Sequence, residues 1–360
     1  MNIQNNNYRI ERHDLSKDKS LRAWSAADEY LLEAFAAVKK TAKNLALYND
    51  RFGYLACHLN DLSPTVVVTH RSQEKAISTN FQNNGLKQPH LATPLSHLES
   101  RADFVLMKVP KSLGLFQLFL EQIAENSTKD VTVICAFMTR HFSPKLIQIA
   151  EQYFDDVTQS KAQKKARLLV LSIKKARSKG EILTSLKYKE QSYQQYLGVF
   201  SADHIDYATQ FFLEHVELNK GDQRILDLAS GNGIIGNEIH KELPQAEVRL
   251  LDDACLAVSS AKLNVRGDRI HHHYNNNMSD FESDYFDLIV SNPPFHFEYE
   301  VNINIPINLF KECWRCLKKG GVLQMVTSQH LNYKTHLEPL FADVHILAED
   351  KKFVVYKCMK

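Results

Sequence analysis

The residues best suited to chemistry stand together in the segment Ser291–His296 (SNPPFH), directly after a strand-like apolar run. Pro293 and Pro294 have no backbone donor and fix φ, so they predict a stiff, extended corner. At the carboxyl end of a buried strand, such a corner lies where open α/β sheets bind ligands. The Asn292 side-chain oxygen and the Pro293 carbonyl are then two neighbouring acceptors, with the Phe295 ring beside them. This arrangement fits an exocyclic amine on a flat base, which would donate two N–H bonds and stack on the ring.

A second chemically informative stretch is a glycine-containing turn that follows the predicted strand Gln223–Leu228 and leads into a helix. Glycines let a backbone approach a ligand closely, and a helix N-terminus adds donors and positive potential. Asp252 follows the next predicted strand, where a carboxylate can accept both hydroxyls of a ribose. This turn and its neighbours therefore predict a cofactor site. The residues predicted to bind the cofactor are Phe200, Asp206, Asp227, Ala229, Gly231, Gly233, Asp252, Asn276 and Asn292.

The corner from Asn292 to Phe295 resembles the Asn-Pro-Pro-Phe motif of S-adenosylmethionine-dependent methyltransferases that modify exocyclic amines of nucleobases. The glycines at 231, 233 and 236 also match the dinucleotide fingerprint of nicotinamide dehydrogenases, which is an alternative. Asp227 inside the first strand and the corner three strands later favour methyl transfer, because a dehydrogenase has no use for that corner. We therefore expect S-adenosylmethionine as the cofactor and the segment 292–295 (Asn292, Pro293, Pro294 and Phe295) as the catalytic residues.

Two patterns could indicate a metal, and neither is convincing. Adjacent side chains on a strand point to opposite faces, so at most His271 and His273 of the three consecutive histidines could share an ion. Cys313 and Cys316 lie in a predicted helix with no second ligand pair, so two half-buried thiols are expected instead of zinc. No metal is predicted.

Composition limits the class of protein. A chain of 360 residues is long enough for two domains, and a net charge of +2 implies neither a polycation nor an acidic protein. The start is polar, no apolar run approaches bilayer length, and the six cysteines are unpatterned. We expect a soluble, cytoplasmic, monomeric protein that does not contact a membrane.

The amino-terminal half alternates predicted strands with helical stretches, which indicates βαβ units and a mostly parallel sheet. The stretches are a helix at Leu21–Leu32, strands at Leu45–Tyr48, Thr65–Thr69, Phe104–Val109 and Val131–Phe137, and a helix at Pro144–Phe154. Its strand ends lack the glycine turn and the paired acceptors of the carboxyl-terminal half. We read the halves as two copies of one fold: a degenerate domain at 1–179 that serves as an RNA-binding platform, and a catalytic domain at 180–360.

Basic residues cluster from 161 to 189, next to Tyr188, Tyr193 and Tyr196. Cations interleaved with tyrosines can neutralise phosphates and stack unpaired bases, although a solvated linker is the alternative. The predicted RNA contacts are Lys108, Lys111, Lys164, Lys165 and Arg167.

Taken in order, the motifs resemble those of the tandem-domain ribosomal RNA guanine-N(2)-methyltransferases. The opening helix favours the large-subunit (23S) enzymes over the sister family that acts on 16S rRNA. The resemblance implies two Rossmann-like methyltransferase folds, a degenerate first domain that holds ribosomal RNA, naked or partly assembled, and a flipped-out guanine at Asn292. The matching stretches are 23–32, 49–53, 108–111, 164–168, 199–201, 231–233, 263–265, 292–296 and 352–355.

The chain departs from the family pattern in the cofactor site. Ala229-Ser230 stands where the family usually has Gly-Cys, Ala202 where it has Arg, and Ala208 where it has Gly. These departures leave a second hypothesis open, a catalytically silent RNA-binding protein or assembly factor. His296 is a candidate for the base that removes the final proton.

Overall fold

The computed structural model describes residues 8–13, 21–176, 178–293 and 304–360. The chain divides into two compact units, Met1–Ile182 (unit 1) and Leu183–Lys360 (unit 2). The domain boundary predicted from the sequence was 179/180.

Unit 1 is built on a mixed sheet with helices on its faces. Its strands are β1 (Leu45–Tyr48), β2 (Thr65–Val67), β3 (His90–Ala92), β4 (Ala102–Lys108), β5 (Ser127–Met138), β6 (Phe154–Gln159) and β7 (Ala166–Lys174). Its helices are α1 (Ala26–Ala36), α2 (Tyr54–His58), α3 (Arg71–Asn83), α4 (Leu113–Asn126) and α5 (Pro144–Ala150). The sheet order is β3-β2-β1-β4-β5-β7-β6, parallel except at β7, which runs antiparallel to both neighbours.

Unit 2 repeats this plan after a separate hairpin, β8 (Leu183–Tyr188) and β9 (Gln191–Tyr196). Its sheet strands are β10 (Arg224–Leu228), β11 (Glu247–Asp252), β12 (Ile270–Tyr274), β13 (Phe286–Ser291), β14 (Leu317–Ser328), β15 (Asp343–Glu349) and β16 (Phe353–Met359). Its helices are α6 (Tyr207–His215), α7 (Ile234–Glu242), α8 (Cys255–Asn264), α9 (Asn304–Cys316) and α10 (Lys334–Leu337). The order is β12-β11-β10-β13-β14-β16-β15.

The two sheets share one strand order. In each, the first three strands run from the centre to one edge, and the fourth strand then pairs with the other side of the first. Both faces of each sheet are covered by apolar clusters, so central strands such as β1 are buried at every residue. The predicted fold class, two α/β domains with mostly parallel sheets flanked by helices, is confirmed.

Several predicted boundaries were wrong for local reasons. Helix α1 begins at Ala26 because Ser25 is its N-cap, with Asp28 Oδ2 accepting the Ser25 N–H at 2.7 Å. The predicted helix ending at Phe154 stops at Ala150, and Phe154 opens β6 as a buried core residue.

Cys313 and Cys316 were predicted to be half-buried, and both are fully buried. Each of the six cysteines is buried and free of disulfides. Among the helices in the described ranges, none is long and apolar enough to cross a membrane.

Candidate active site

Strands β10 and β13 lie side by side in unit 2 at the point where the strand order reverses. Leu228 pairs with Ser291, and the Ser291 hydroxyl donates to the Leu228 carbonyl at 2.7 Å, so the two strands end together. Crevices at such reversals are the usual ligand sites of open α/β sheets. Asn292 therefore stands beside the glycine-containing turn, as the sequence predicted.

The Asn292 side chain is fixed by the first turn of α6. Its amide nitrogen donates to Asp206 Oδ2 at 2.9 Å and to Thr209 Oγ1 at 2.8 Å. A carboxylate accepts and never donates, so the nitrogen must be the atom that faces Asp206. Both amide N–H bonds are thus used, and no donor within the described ranges binds Oδ1. The free end of Asn292 is an oriented acceptor.

Asp206 was predicted as a cofactor residue, and its side chain hydrogen-bonds to the first turn of α6 and to Asn292. It caps α6 by accepting the Thr209 N–H at 3.2 Å, which places Thr209 within reach of the same amide. Pro293 is buried next to Asn292. The remaining predicted corner residues, Pro294 and Phe295, and the candidate base His296 lie outside the described residues.

The turn after β10 has an unusual backbone. Ala229, Gly231 and Gly233 have φ values of 60°, 56° and 84°, the left-handed region that favours glycine. A Cβ on Gly233 would come 2.7 Å from Val265, whereas one on Gly231 would meet nothing within 4 Å. The open side of Gly231 gives a ligand close access to the backbone, and Ala229 adopts the conformation that the usual glycine would accept more easily.

Asp227 supplies an acceptor that the described residues leave unused. Its Oδ2 accepts the Gly236 N–H at 2.8 Å, while the buried Oδ1 has no partner in the described part of the chain. Burial, with a smaller contribution from the Asp252 charge, raises the pKa of Asp227 to about 7 against the backbone hydrogen bond from Gly236. A buried, unpaired acceptor at the turn fits a cofactor that carries a donor or a cation.

The other predicted cofactor residues lie along the same edge of the sheet. The Asp252 carboxylate accepts the Gly231 N–H at 2.9 Å and the Ala254 N–H at 2.8 Å. Asn276 is exposed just after β12. Phe200 is 77% exposed in the loop before α6. Their contact with a cofactor stays a prediction.

The sequence reasoning missed a polar network that ties this loop to the glycine turn. The buried Gln195 donates to the Ser201 carbonyl at 3.0 Å and accepts from Asn232 Nδ2 at 3.0 Å. Asn264 Nδ2 in turn donates to the Asn232 carbonyl at 2.8 Å. The sequence signal for this network is a glutamine in a buried strand. Its hydrogen-bond partners lie in distant segments, so the sequence pattern alone does not identify them.

Ala202 and Ala208, the other two departures from the family pattern, differ in environment. Ala202 is exposed in the loop, so the missing arginine leaves a solvent-facing position. Ala208 is buried in the first turn of α6, where the extra methyl group relative to glycine is accommodated in the core cluster.

In unit 1 the corresponding edge is filled by its own side chains. Lys108 is the last residue of β4, and Asn292 comes directly after β13. The Lys108 ammonium group pairs with the buried Asp28 at 2.9 Å. Phe52 is buried in the turn after β1, and burial raises the pKa of the neighbouring Asp50 to about 7. The RNA contact predicted for Lys108 stays a prediction, with its charge already used inside the unit.

The other predicted RNA contacts lie nearer to solvent. Lys111, Lys164 and Lys165 are exposed, and Lys164 forms an ion pair with Glu29 at 3.4 Å. Arg167 is partly buried in β7 and donates to Gln159 at 3.2 Å.

The stacking role considered for Tyr193 was wrong. Its side chain is fully buried, and its hydroxyl donates to Glu238 at 2.7 Å. Strand β9 packs on α8 and carries Tyr193 into the core of unit 2.

The three histidines form part of β12, as predicted. His272 Nε2 lies 3.0 Å from the Val265 carbonyl, and the His273 ring packs edge-on against Phe281. Burial lowers the pKa of both rings. Across the described ranges, no group of three or more His, Cys, Asp or Glu side chains could hold a metal ion.

Comparison with known families divides the chain in the same way as its fold. Residues 1–176 match the model of the RLMG N-terminal domain, and residues 191–357 match the Methyltransferase small domain. A structure of the T. thermophilus 16S rRNA N2 G1207 methyltransferase in complex with AdoMet and guanosine superposes with a TM-score of 0.74, covering 93% of this chain and 92% of that one. At 21% identity this likeness shows the shared fold.

Two curated relatives are similar over almost the whole chain, and both are named ribosomal RNA large subunit methyltransferase G. The protein of Pseudoalteromonas translucida is 30% identical over 98% of this chain and 96% of its own length. That of Psychromonas ingrahamii is 29% identical over 100% of this chain and 98% of its own. The resemblance inferred from the motifs is confirmed: the chain belongs to the ribosomal RNA large subunit methyltransferase G family.

Proposed function

We propose that this protein transfers a methyl group from S-adenosylmethionine to the exocyclic 2-amino group of a guanine in large-subunit ribosomal RNA. Family membership supports the predicted reaction class, S-adenosylmethionine-dependent methylation of ribosomal RNA. The finer assignment, guanine N2 of 23S rRNA, rests on the site and on the resemblance. The protein then works in the cytoplasm on naked or partly assembled ribosomal RNA.

The observation that carries the proposal is the fixed orientation of Asn292. Asp206 and Thr209 hold the amide nitrogen, so Oδ1 is presented at the switch point of the sheet. An amine that donates one N–H to Oδ1 can donate the other to the Pro293 carbonyl. The site thus offers acceptors to an exocyclic amine, whereas a donor array would be needed for a carbonyl or a phosphate.

These acceptors act on a specific difficulty. The lone pair of the guanine 2-amino group is delocalised into the ring, so the amine is a poor nucleophile. Accepting its protons opposes that delocalisation and places negative potential where positive charge develops, which stabilises the transition state more than the ground state. The Asp206 carboxylate strengthens the effect, because it polarises the Asn292 amide toward Oδ1.

The glycine turn and its neighbours fit the cofactor. Asp227 Oδ1 offers a buried acceptor, Gly231 leaves open space beside the backbone, and Asp252 follows the next strand, where a carboxylate can accept ribose hydroxyls. When bound, S-adenosylmethionine supplies an electrophilic methyl group. The chain's part is alignment, since holding amine and methyl in line removes much of the entropic barrier.

The test is methyl transfer by the purified full-length protein to protein-free 23S rRNA, assembled large subunits and 16S rRNA. We expect N2-methylguanosine, identified by mass spectrometry of digested nucleosides, from a large-subunit substrate. Asn292→Ala should abolish turnover while the affinity for S-adenosylmethionine, measured by calorimetry, stays nearly intact. Methylation of 16S rRNA alone would reassign the substrate, and wild-type turnover by Asn292→Ala would refute the proposed role. Absent cofactor binding would favour the silent RNA binder.

A further inference from the structure

A cavity of about 600 Å³ opens at the carboxyl end of β14, close to the edge that carries Asn292. Ser291 pairs with Met325, so Asn292 and the end of β14 lie on neighbouring strands, roughly 8 Å apart by strand geometry. The lining residues are Ser328, Gln329, His330, Lys351, Lys352 and Phe353. None of them belongs to the predicted catalytic, cofactor or RNA-contact sets.

Two of the residues that line this cavity are positively charged lysines. Lys351 and Lys352 are exposed, and neither ammonium group forms an ion pair with any residue that the structure describes. Other lysines of the same sheet are paired, such as Lys318 with Asp287 and Lys357 with Glu217, both at 2.6 Å.

The acidic neighbours of the turn are Glu349 and Asp350. The Asp350 carboxylate accepts the Lys352 and Phe353 N–H bonds at 2.7 and 2.6 Å, and these backbone bonds lower its pKa. Asp350 thereby shapes the turn that presents the two lysines.

One wall of the cavity is aromatic. Phe353 is partly buried, and its ring lies 6.1 Å from that of Phe211 on α6. The first turn of the same helix holds Asn292 through Asp206 and Thr209. The aromatic wall and the catalytic amide are therefore anchored to one helix.

We propose that this cavity is a nucleotide subsite for the RNA strand next to the modified guanine. Lys351 and Lys352 neutralise phosphates, and Phe353 offers a face on which a neighbouring base stacks. Cations beside an aromatic ring are the usual means by which proteins hold unpaired strands. A base flipped out of its helix leaves the flanking nucleotides unstacked, so a platform one or two nucleotides away would stabilise the bound strand. The inference rests on the proposed function, since it deepens the description of the substrate.

Unit 1 has a corresponding pair of lysines at the equivalent turn of its sheet. The Thr139 N–H donates to the Lys165 carbonyl at 2.8 Å, just as the Gln329 N–H donates to the Lys352 carbonyl at 2.8 Å. In each unit a pair of consecutive lysines therefore lies in the turn directly before the antiparallel strand, β7 in unit 1 and β16 in unit 2. The pair in unit 1, Lys164 and Lys165, was predicted to contact RNA, and its counterpart in unit 2 stands beside the catalytic edge.

The test compares two charge-matched double variants of the full-length protein. Lys351→Gln with Lys352→Gln removes the subsite cations, and Lys220→Gln with Lys319→Gln removes two exposed lysines from the opposite, amino edge of the same sheet. Fluorescence anisotropy with a short guanine-containing single-stranded RNA, repeated over a range of salt concentrations, gives affinity and salt slope. Phe353→Leu tests the stacking face.

We expect the subsite variant to bind RNA more weakly and to lower the slope of log affinity against log salt by about 1.4, since each single-strand phosphate contributes roughly 0.7. Phe353→Leu should weaken binding about five- to hundred-fold, the range for one stacked base. The KM for 23S rRNA should rise, with the affinity for S-adenosylmethionine unchanged. The amino-edge variant should match wild type.

Equal affinity and salt slope for the two double variants would overturn the subsite. If wild type methylates 23S rRNA while the subsite variant behaves like the control, only the subsite fails. If wild type methylates no RNA, the proposed function fails, and the anisotropy comparison still decides whether the cavity holds an RNA strand.

Discussion

Replacing Thr209 by Val tests whether the orientation of Asn292 controls catalysis. Valine keeps the shape of threonine and removes the hydroxyl that accepts an Asn292 N–H at 2.8 Å. One amide N–H then loses its partner at a partly buried site, which costs about 1 to 3 kcal/mol. If that cost falls on the transition state, kcat drops roughly five- to hundred-fold, at 1.36 kcal/mol per factor of ten.

Thr209→Ser is the matched control, because it keeps the hydroxyl and should retain most of kcat. Single-turnover methylation of 23S rRNA gives the rate, and calorimetry gives the affinity for S-adenosylmethionine, which should be unchanged in both variants. Thermal unfolding checks that the two variants are equally stable. Equal kcat values for Thr209→Val and Thr209→Ser would refute the positioning role.

Asp206→Asn separates charge from geometry in the same contact. Asparagine is a good N-cap, and its carbonyl can still accept from Asn292, so α6 and the orientation are kept. The negative charge that polarises the amide is lost, and a charge-assisted bond is about twice as strong as a neutral one. We expect a lower kcat with an intact fold, and unchanged kcat would show that the charge does not contribute.

Three further changes test other parts of the molecule. Ala229→Gly should leave stability equal or raise it by up to about 1 kcal/mol in chemical denaturation, because φ of 60° strains alanine; a clear loss would contradict this. Because burial raises the pKa of Asp227 to about 7, its carboxyl stabilises the fold at acidic pH, and this contribution falls by roughly 1.4 kcal/mol per pH unit between about pH 4 and 7. The stability of wild type relative to Asp227→Asn should decline over that window, and a pH-independent difference would contradict it. Lys108→Met should destabilise unit 1 by about 1 to 3 kcal/mol, because the buried Asp28 loses its ion pair and keeps only its hydrogen bonds from Ser25. Asp28→Asn should recover part of the loss, and additive effects in this double-mutant cycle would show no coupling.

The sequence was sufficient to predict those features that depend on a local pattern of residues. The bounds of β1 matched the predicted Leu45–Tyr48, because a run of apolar residues between turn residues has few alternatives. The corner at Asn292 was found in the same way, since two prolines after an apolar run must end a strand. The glycine-containing turn could be predicted because glycines tolerate positive φ values.

What could not be predicted depends on contacts between distant segments. Thr209 and Asp206 lie 83 and 86 residues before Asn292, and no periodicity connects them. The role of Gln195 could not be predicted for the same reason, because it depends on the two distant segments that Gln195 joins, the loop before α6 and the glycine-containing turn. Lys351 and Lys352 are an ordinary pair of surface lysines until the sheet places their turn at the end of β14, the neighbour of β13.

The two units pair a carboxylate at the equivalent position with different side chains. In each unit, a carboxylate near the start of a helix contacts a residue at the carboxyl end of the fourth sheet strand. Asp28 of α1 accepts from Lys108 at the end of β4, and Asp206, the N-cap of α6, accepts from Asn292 directly after β13. Lys108 neutralises its carboxylate completely and presents no acceptor, whereas the Asn292 amide satisfies the carboxylate and still presents Oδ1. An ammonium group at this position stabilises a fold, and an amide stabilises it while leaving an acceptor for a substrate. Lys108→Asn alone would not create a second active site, because the turn after β1 buries Phe52, whereas the turn after β10 has open space beside Gly231.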